Sequence, residues 1–241
     1  MSTFWVHVGS ESLVEGVVVL APEEARHVQA RRLRVGDALT AFDGAGRIAS
    51  ARLASQARRE TTIEIESITF TPREDDDFVI ASAVPKGDRL STLLQMLTQL
   101  GIARWQPLVL DDSATRKLDP SRARLERVLL ESAKVARRAH TMTIAAPLDL
   151  DGALEGVAKS PGALWFGDRE GEAIPLPAES RLLLIGPEAG FSARERGRLL
   201  EVGARPIAFS PYNLRIEVAA IAGATARGIG RAAADVEGAG R

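Results

Sequence analysis

Short apolar runs separated by turn signals fill the first seventy residues. Val17 to Leu20, Ala38 to Phe42 and Ile48 to Leu53 have strand length, punctuated by Val35-Gly36-Asp37 and Asp43-Gly44. From Thr61 to Phe70 the pattern alternates, Ile63, Ile65 and Ile68 against Glu64 and Glu66, as a half-buried strand requires. One short helix, Pro22 to Arg32, interrupts the strands, so this stretch reads as a small barrel with a helix. The rhythm breaks at Thr71-Pro72-Arg73-Glu74-Asp75-Asp76-Asp77, a charged run without an apolar residue and the best linker candidate.

Beyond it, strands alternate with helices. Phe78 to Val84 is a buried-strand run, and Leu90, Leu93, Leu94, Leu97 and Leu100 follow at helical spacing until Gly101. Trp105 to Leu110 is strand-like. Asp119-Pro120 supplies an N-cap and a first-turn proline for a helix with Leu125, Val128, Leu129, Ser132, Val135 and Ala136 on one face. Arg127, Lys134 and Arg138 fall on the other face. Ala163 to Phe166, Leu182 to Ile185 and Pro206 to Phe209 are further buried strands. Ser192-Ala193-Arg194-Glu195 is a capping box opening a helix that stops at Gly203. An alanine-rich helix spans Ile216 to about Ala234, and the glycine-rich end after it reads as a frayed tail. The alternation predicts an α/β fold with a mainly parallel sheet.

Composition narrows the chemistry. With 45% hydrophobic and 26% charged residues, the chain of 241 has enough apolar material for a core. It contains no cysteine, which excludes disulfides, thiolate metal sites and cysteine nucleophiles. Its three histidines, His7, His27 and His140, are too far apart for a local metal motif. No basic start followed by an apolar run opens the chain, and no stretch is long and apolar enough to span a bilayer, so a cytoplasmic protein without a membrane partner is expected.

Charge nearly cancels, with 31 basic and 32 acidic residues, but its distribution is uneven. Four basic residues are lysine (Lys86, Lys117, Lys134, Lys159) and 27 are arginine, the side chain suited to forked phosphate recognition. From Arg26 to Arg59 the local net charge is +6, and from Thr115 to Arg138 it is +5. A GC-rich genome would give the same arginine bias, but two basic islands in a neutral chain make a polyanionic partner worth pursuing.

In such a sheet, ligands bind beyond the carboxyl ends of strands. Three places qualify. Leu182-Leu183-Leu184-Ile185-Gly186-Pro187-Glu188-Ala189-Gly190-Phe191-Ser192 runs from an apolar strand through a loop of two glycines into a capped helix, whose N-terminus favours an anion. It is neither a Walker loop nor the dinucleotide fingerprint, and a tight strand-to-helix turn would look the same. Phe209-Ser210-Pro211-Tyr212-Asn213-Leu214-Arg215-Ile216-Glu217 is a second irregular loop entering a helix, for which an exposed ion pair is the plain alternative. The third is Lys134-Val135-Ala136-Arg137-Arg138, whose charges also suit a helix C-terminus. His27 fits an RNA or structural contact better than a catalyst. Trp5, Trp105 and Trp165 fit the core better than a stacking platform.

In order along the chain, four segments together resemble the SPOUT-class methyltransferases acting on uridine N3 of small-subunit (16S) ribosomal RNA. They are Arg26 to Asp37 with Phe42-Asp43-Gly44, Lys86-Gly87-Asp88-Arg89, Gly186 to Phe191, and Leu214-Arg215-Ile216-Glu217-Val218-Ala219. The resemblance implies an α/β protein: a PUA-like RNA-binding β-barrel over residues 1–72, then a SPOUT domain over 78–235 with a mainly parallel sheet and a C-terminal trefoil knot. It implies a homodimer, ribosomal RNA as partner, S-adenosylmethionine as cofactor and no metal. Cofactor contacts fall on Phe166, Ile185, Gly186, Pro187, Glu188, Gly190, Phe209, Ser210, Leu214 and Arg215. RNA contacts fall on Arg26, His27, Arg31, Arg32, Arg34, Lys134 and Arg138. Arg215 or Arg137 would stabilise the uridine anion, with Glu217 positioning the arginine or accepting the proton. Three positions depart from the family pattern: Ala189 for glycine, which would strain a left-handed loop, Val218 for threonine and Val135 for glutamine. The same fold serving a ribose or transfer RNA, or a non-catalytic RNA-binding assembly factor with a decayed pocket, are the alternatives.

Overall fold

In the computed structural model, which describes residues 4–57, 60–73, 78–114, 121–155 and 163–239, the N-terminal strands join into one sheet. Its elements are β1 (Phe4–His7), β2 (Gly16–Val19), α1 (Pro22–Ala30), β3 (Ala38–Phe42), β4 (Arg47–Gln56) and β5 (Thr61–Phe70). The order is β1-β3-β4-β5-β2, with β1 parallel to β3 and every other pair antiparallel. The alternation in β5 buries Ile63 and Ile65 among Leu39, Ala41, Ala49, Ala51 and Leu53, and α1 closes on them through Val28. β1 was not predicted. Its four residues carry too little periodicity, and pairing with β3 alone makes it a strand.

This sheet belongs to the first of two compact units, residues 1–75 with 130–141. Residues 139–141 join it by hydrogen bonding: Gly46 N donates to Ala139 O and Thr141 N to Gly44 O, at 3.1 and 2.9 Å. Of the predicted linker, residues 74–77 lie outside the described residues.

The second unit, residues 76–129 with 142–241, alternates strand and helix. It runs β6 (Val79–Ala83), α2 (Asp88–Gln99), β7 (Arg104–Leu108), α3 (Arg122–Ala136), β8 (Thr143–Ile144), α4 (Leu150–Glu155), β9 (Leu164–Glu172), β10 (Leu182–Ile185), α5 (Ala193–Glu201), β11 (Arg205–Ile207) and α6 (Ile216–Ala239). α3 passes into the first unit at Leu130. All pairings are parallel, in the order β11-β9-β10-β6-β7-β8. The unbroken apolar run of β10 is explained by its inner place, buried throughout. Trp105 and Trp165 are core residues, the Trp105 indole donating to Ser82 Oγ at 2.9 Å; Trp5 is half-buried against Phe42.

Several expectations need correction. Val135 does not belong to the buried face of α3; it is 71% exposed. Lys134 does not lie on the solvated face, for reasons given below. α6 continues past Ala234 to Ala239, since glycine weakens a helix without ending it. α4 and β8, too short for a pattern, were missed. The Asp119-Pro120 cap falls outside the described residues. Glycines in α6 permit close packing: a Cβ at Gly223 would collide with Leu183 Cδ2, and one at Gly230 with the Leu176 carbonyl oxygen. Among the described residues no helix is long and apolar enough to cross a membrane.

Candidate active site

The carboxyl ends of β10 and β11 and the middle of β9 converge on a pocket of about 530 Å³. Residues 166–170 of β9 line it from within the strand, while Ile185 ends β10 and Ile207 ends β11, so two strands deliver their following loops to the flank of a third. Phe166, Ile185, Gly186, Pro187, Glu188, Gly190, Phe209, Ser210 and Leu214 all line it, nine of the ten predicted cofactor contacts. Arg215 is exposed on the chain just beyond Leu214 and is not part of the lining.

The 186–191 loop is held open by its backbone. Gly190 has φ +84°, a left-handed conformation, and its N–H donates to Pro187 O at 2.8 Å. Ala189 is not strained: Arg32 and Arg137 are the non-glycine residues with positive φ among those described. Phe191 packs edge-on against Phe166, ring centroids 5.9 Å apart, and forms an apolar floor with it.

The following helix is capped as the sequence predicts. Ser192 Oγ accepts from Glu195 N at 3.2 Å, and Ser192 N donates to Glu195 Oε2 at 2.9 Å. Asp111 extends this box from the loop after β7. Its N–H donates to Glu195 Oε1 at 2.8 Å, its Oδ2 accepts from Ser192 Oγ at 2.7 Å, and Arg194 donates to its Oδ1 at 2.8 Å. No local pattern could reveal a partner this distant in sequence.

Polar groups absent from the sequence reading stand around the pocket. Arg196 Nε donates to Asp168 Oδ2 at 3.0 Å, and Arg169 Nη1 donates to Asn213 Oδ1 at 3.2 Å. The acidic pair Asp168 and Glu170 follows the β9 apolar run, the one signal that could have marked it. Glu188, at the loop crest, accepts from Arg89 Nη1 at 3.1 Å.

Arg215 and Glu217 go separate ways at the entry to α6. Glu217 is buried, with Oε2 lacking any hydrogen-bond partner, whereas Arg215 is exposed. No bond between the two is present, so the exposed ion pair weighed from sequence does not form. Arg137 belongs to the first unit, where it follows α3 with φ +55°.

The RNA candidates also lie in the first unit. Arg26, Arg31, Arg32 and Arg34 are exposed on and just after α1, and Arg31 lies over the Phe4 ring at 5.9 Å. Arg138 is half-buried. Lys134 is different: its side chain is 8% exposed and donates to Glu24 Oε1 at 2.6 Å. It also pairs with Glu131 at 2.7 Å and reaches His27 Nδ1 at 3.2 Å. Glu24, His27 and Glu131 bring ligand atoms within 4.8 Å of one another, and the Lys134 ammonium is their cation. Lys134 is thus tied to the buried Glu24 rather than presented as a free surface, while His27 and Glu131 keep 42% and 45% of their side chains exposed.

An all-parallel sheet with its crevice at the strand ends, preceded by a mixed sheet bearing exposed arginines, describes an α/β enzyme of the SPOUT class joined to a PUA-like unit. The chain belongs to the RNA methyltransferase domain family, which it matches over residues 72–227. Residues 20–66 match the RNA methyltransferase PUA domain. The protein named ribosomal RNA small subunit methyltransferase E in Bacillus subtilis is 26% identical over 240 residues, 91% of this chain and 93% of that one. Its namesake in Aquifex aeolicus is 24% identical over 216 residues, 88% and 94%. The same fold occurs in the Neisseria gonorrhoeae enzyme of that name, solved with S-adenosylmethionine bound (TM-score 0.75, 22% identity, covering 95% of this chain and 97% of that one). A Legionella pneumophila protein, also solved with S-adenosylmethionine bound, superposes with TM-score 0.77 at 22% identity over 97% and 98% of the two chains.

Proposed function

We propose that the chain transfers the methyl group of S-adenosylmethionine to N3 of a uridine in small-subunit ribosomal RNA. The observation that carries this is the pocket at the ends of β10 and β11 beside β9, which gathers nine of the ten residues expected to hold that cofactor. Its volume suits a cofactor of this size. Phe166, Ile185, Phe209 and Leu214 offer apolar walls for an adenine, while Asp168, Ser210 and Asn213 offer polar partners at the rim. The fit is good on both counts.

When bound, S-adenosylmethionine supplies a methyl group already activated by its sulfonium. The uridine imide must lose its proton for N3 to form the new N–C bond, while the methyl–sulfur bond breaks and sulfur keeps the electron pair. Arg215 stabilises the imide anion, because an opposite charge favours the ionised form. Glu217, whose buried Oε2 has no partner, accepts the N3 proton. In a duplex N3 lies in the base pair, so the target base is unpaired or flipped out. Arg137 is the second arginine that can serve as the counter-charge to that anion.

The proposal includes a homodimer, which sedimentation would test, a trefoil knot formed by the passage of α6, and action in the cytoplasm. The unstrained Ala189 weighs against a decayed pocket. Titration calorimetry decides that point: no binding at millimolar S-adenosylmethionine would sink the enzyme reading. Nucleoside mass spectrometry of ribosomal RNA from a deletion strain tests the substrate. Loss of 3-methyluridine is expected, and its persistence would refute the assignment.

A further inference from the structure

The Lys86-Gly87-Asp88-Arg89 segment is left without a role by the cofactor pocket, yet it borders a second cavity of about 250 Å³. This cavity shares Pro187, Glu188 and Ile216 with the first, so the two adjoin. We propose that it receives the target nucleotide of the RNA, with Lys86 set against the nucleotide's phosphate. The proposal rests on the methyltransferase reading above and specifies where that reaction's acceptor lies.

Position, chemistry and rigidity support it. The cavity opens at the carboxyl ends of β6 and β10, neighbouring inner strands, and group transfer requires acceptor and donor sites in contact. Val84, Pro187 and Ile216 are buried apolar residues whose exposed edges can face a base. Of the two cations, Arg89 is held by Glu188 at 3.1 Å, whereas Lys86 is exposed and makes no ion pair among the described residues. Gly87 caps α2 without a side-chain hydrogen bond, so no side chain competes for the first amides of that helix, although Leu90 N–H already donates to Gly87 O at 3.2 Å. The walls are braced: Asp111 ties the loop that carries Ala114 to Ser192 and Glu195, directly after the loop that carries Pro187 and Glu188. An anion at Lys86 could also come from the carboxylate of the cofactor's amino-acid end, and the experiment separates the two.

The test uses the full chain with small ribosomal subunits purified from a deletion strain, following methyl transfer and, separately, cofactor binding by calorimetry. Lys86→Ala is expected to lower kcat/KM for the subunits by about tenfold and to leave the Kd for S-adenosylmethionine within about twofold. Ala114→Phe, which puts a ring into the mouth, is expected to do the same with an unchanged melting temperature. An unchanged kcat/KM in both variants would overturn the proposal. So would an equal loss of cofactor affinity in Lys86→Ala, which would assign the cation to the cofactor. Wild-type protein that binds the cofactor but is inert on these subunits would instead overturn the underlying substrate reading, and the proposal with it.

Discussion

Two helix ends in the first unit are followed by an arginine where glycine costs least. Arg32 after α1 and Arg137 after α3 both hold left-handed backbone, at φ +57° and +55°. In each case the next residue's N–H returns to the helix: Leu33 N to Val28 O and Arg138 N to Ala133 O. A left-handed conformation costs a non-glycine residue about 1–2 kcal/mol, so Arg32→Gly should stabilise the protein by roughly 1 kcal/mol in urea unfolding. The same variant should reduce the salt slope of RNA binding by about one, because one phosphate contact is lost. Lys134 is predicted to behave in the opposite way. Its ammonium is buried with Glu24, while Glu131 reaches it from the exposed side, and removing one partner of a buried pair strands the other. Lys134→Met should cost about 3 kcal/mol, mostly recovered in the double variant with Glu24→Gln, and should leave the RNA salt slope unchanged.

The element that most directly positions the pocket is α5. Its capping box was legible from Ser192 and Glu195, three residues apart, because capping is local chemistry. What the box does for the site was not legible, since Asp111 arrives from another loop and turns a helix start into a cross-brace beside the 186–191 loop. Ser192→Ala should therefore cost more than an isolated cap, roughly 1–2 kcal/mol in denaturant unfolding. It should also weaken S-adenosylmethionine binding by calorimetry, whereas a cap with no part in the site would change stability alone. The same division between local and distant information explains α3. Its helical spacing was readable, but Val135 ended on the solvent side and Lys134 on the buried side because residues 130–141 pack with the first unit.

The two units should respond differently to acid, since both carboxylate and histidine shifts toward lower values fall in the first. Burial pushes His7 below its ordinary 6.5, outweighing the attraction of Glu24. Burial acts to raise Asp43, but hydrogen bonds from the Arg47 guanidinium, the Ala45 and Arg47 amides and Ser10 together hold it below 3.8. Both folded values are depressed, so each contribution is complete above the unfolded value and is lost as pH falls through the folded one. The first unit is expected to lose stability below 6.5 and again below 3.8, seen as a calorimetric transition moving to lower temperature. His7→Gln should flatten the upper window and Asp43→Asn the lower; an unchanged profile in both would contradict the assignment.

By itself the sequence determined most of the strands and helices, though not β1, β8 or α4, together with the parallel class of the second sheet, the loops after β10 and β11 and the clustering of arginines on and after α1. All of these follow from periodicity, turn residues and capping within a few positions of one another. Only the tertiary structure decided which loops meet at one pocket, that Asp111 braces them, that Lys134 is buried and that Lys86 borders a second cavity. Those outcomes depend on contacts between residues far apart in the chain, and such contacts leave no mark on local pattern.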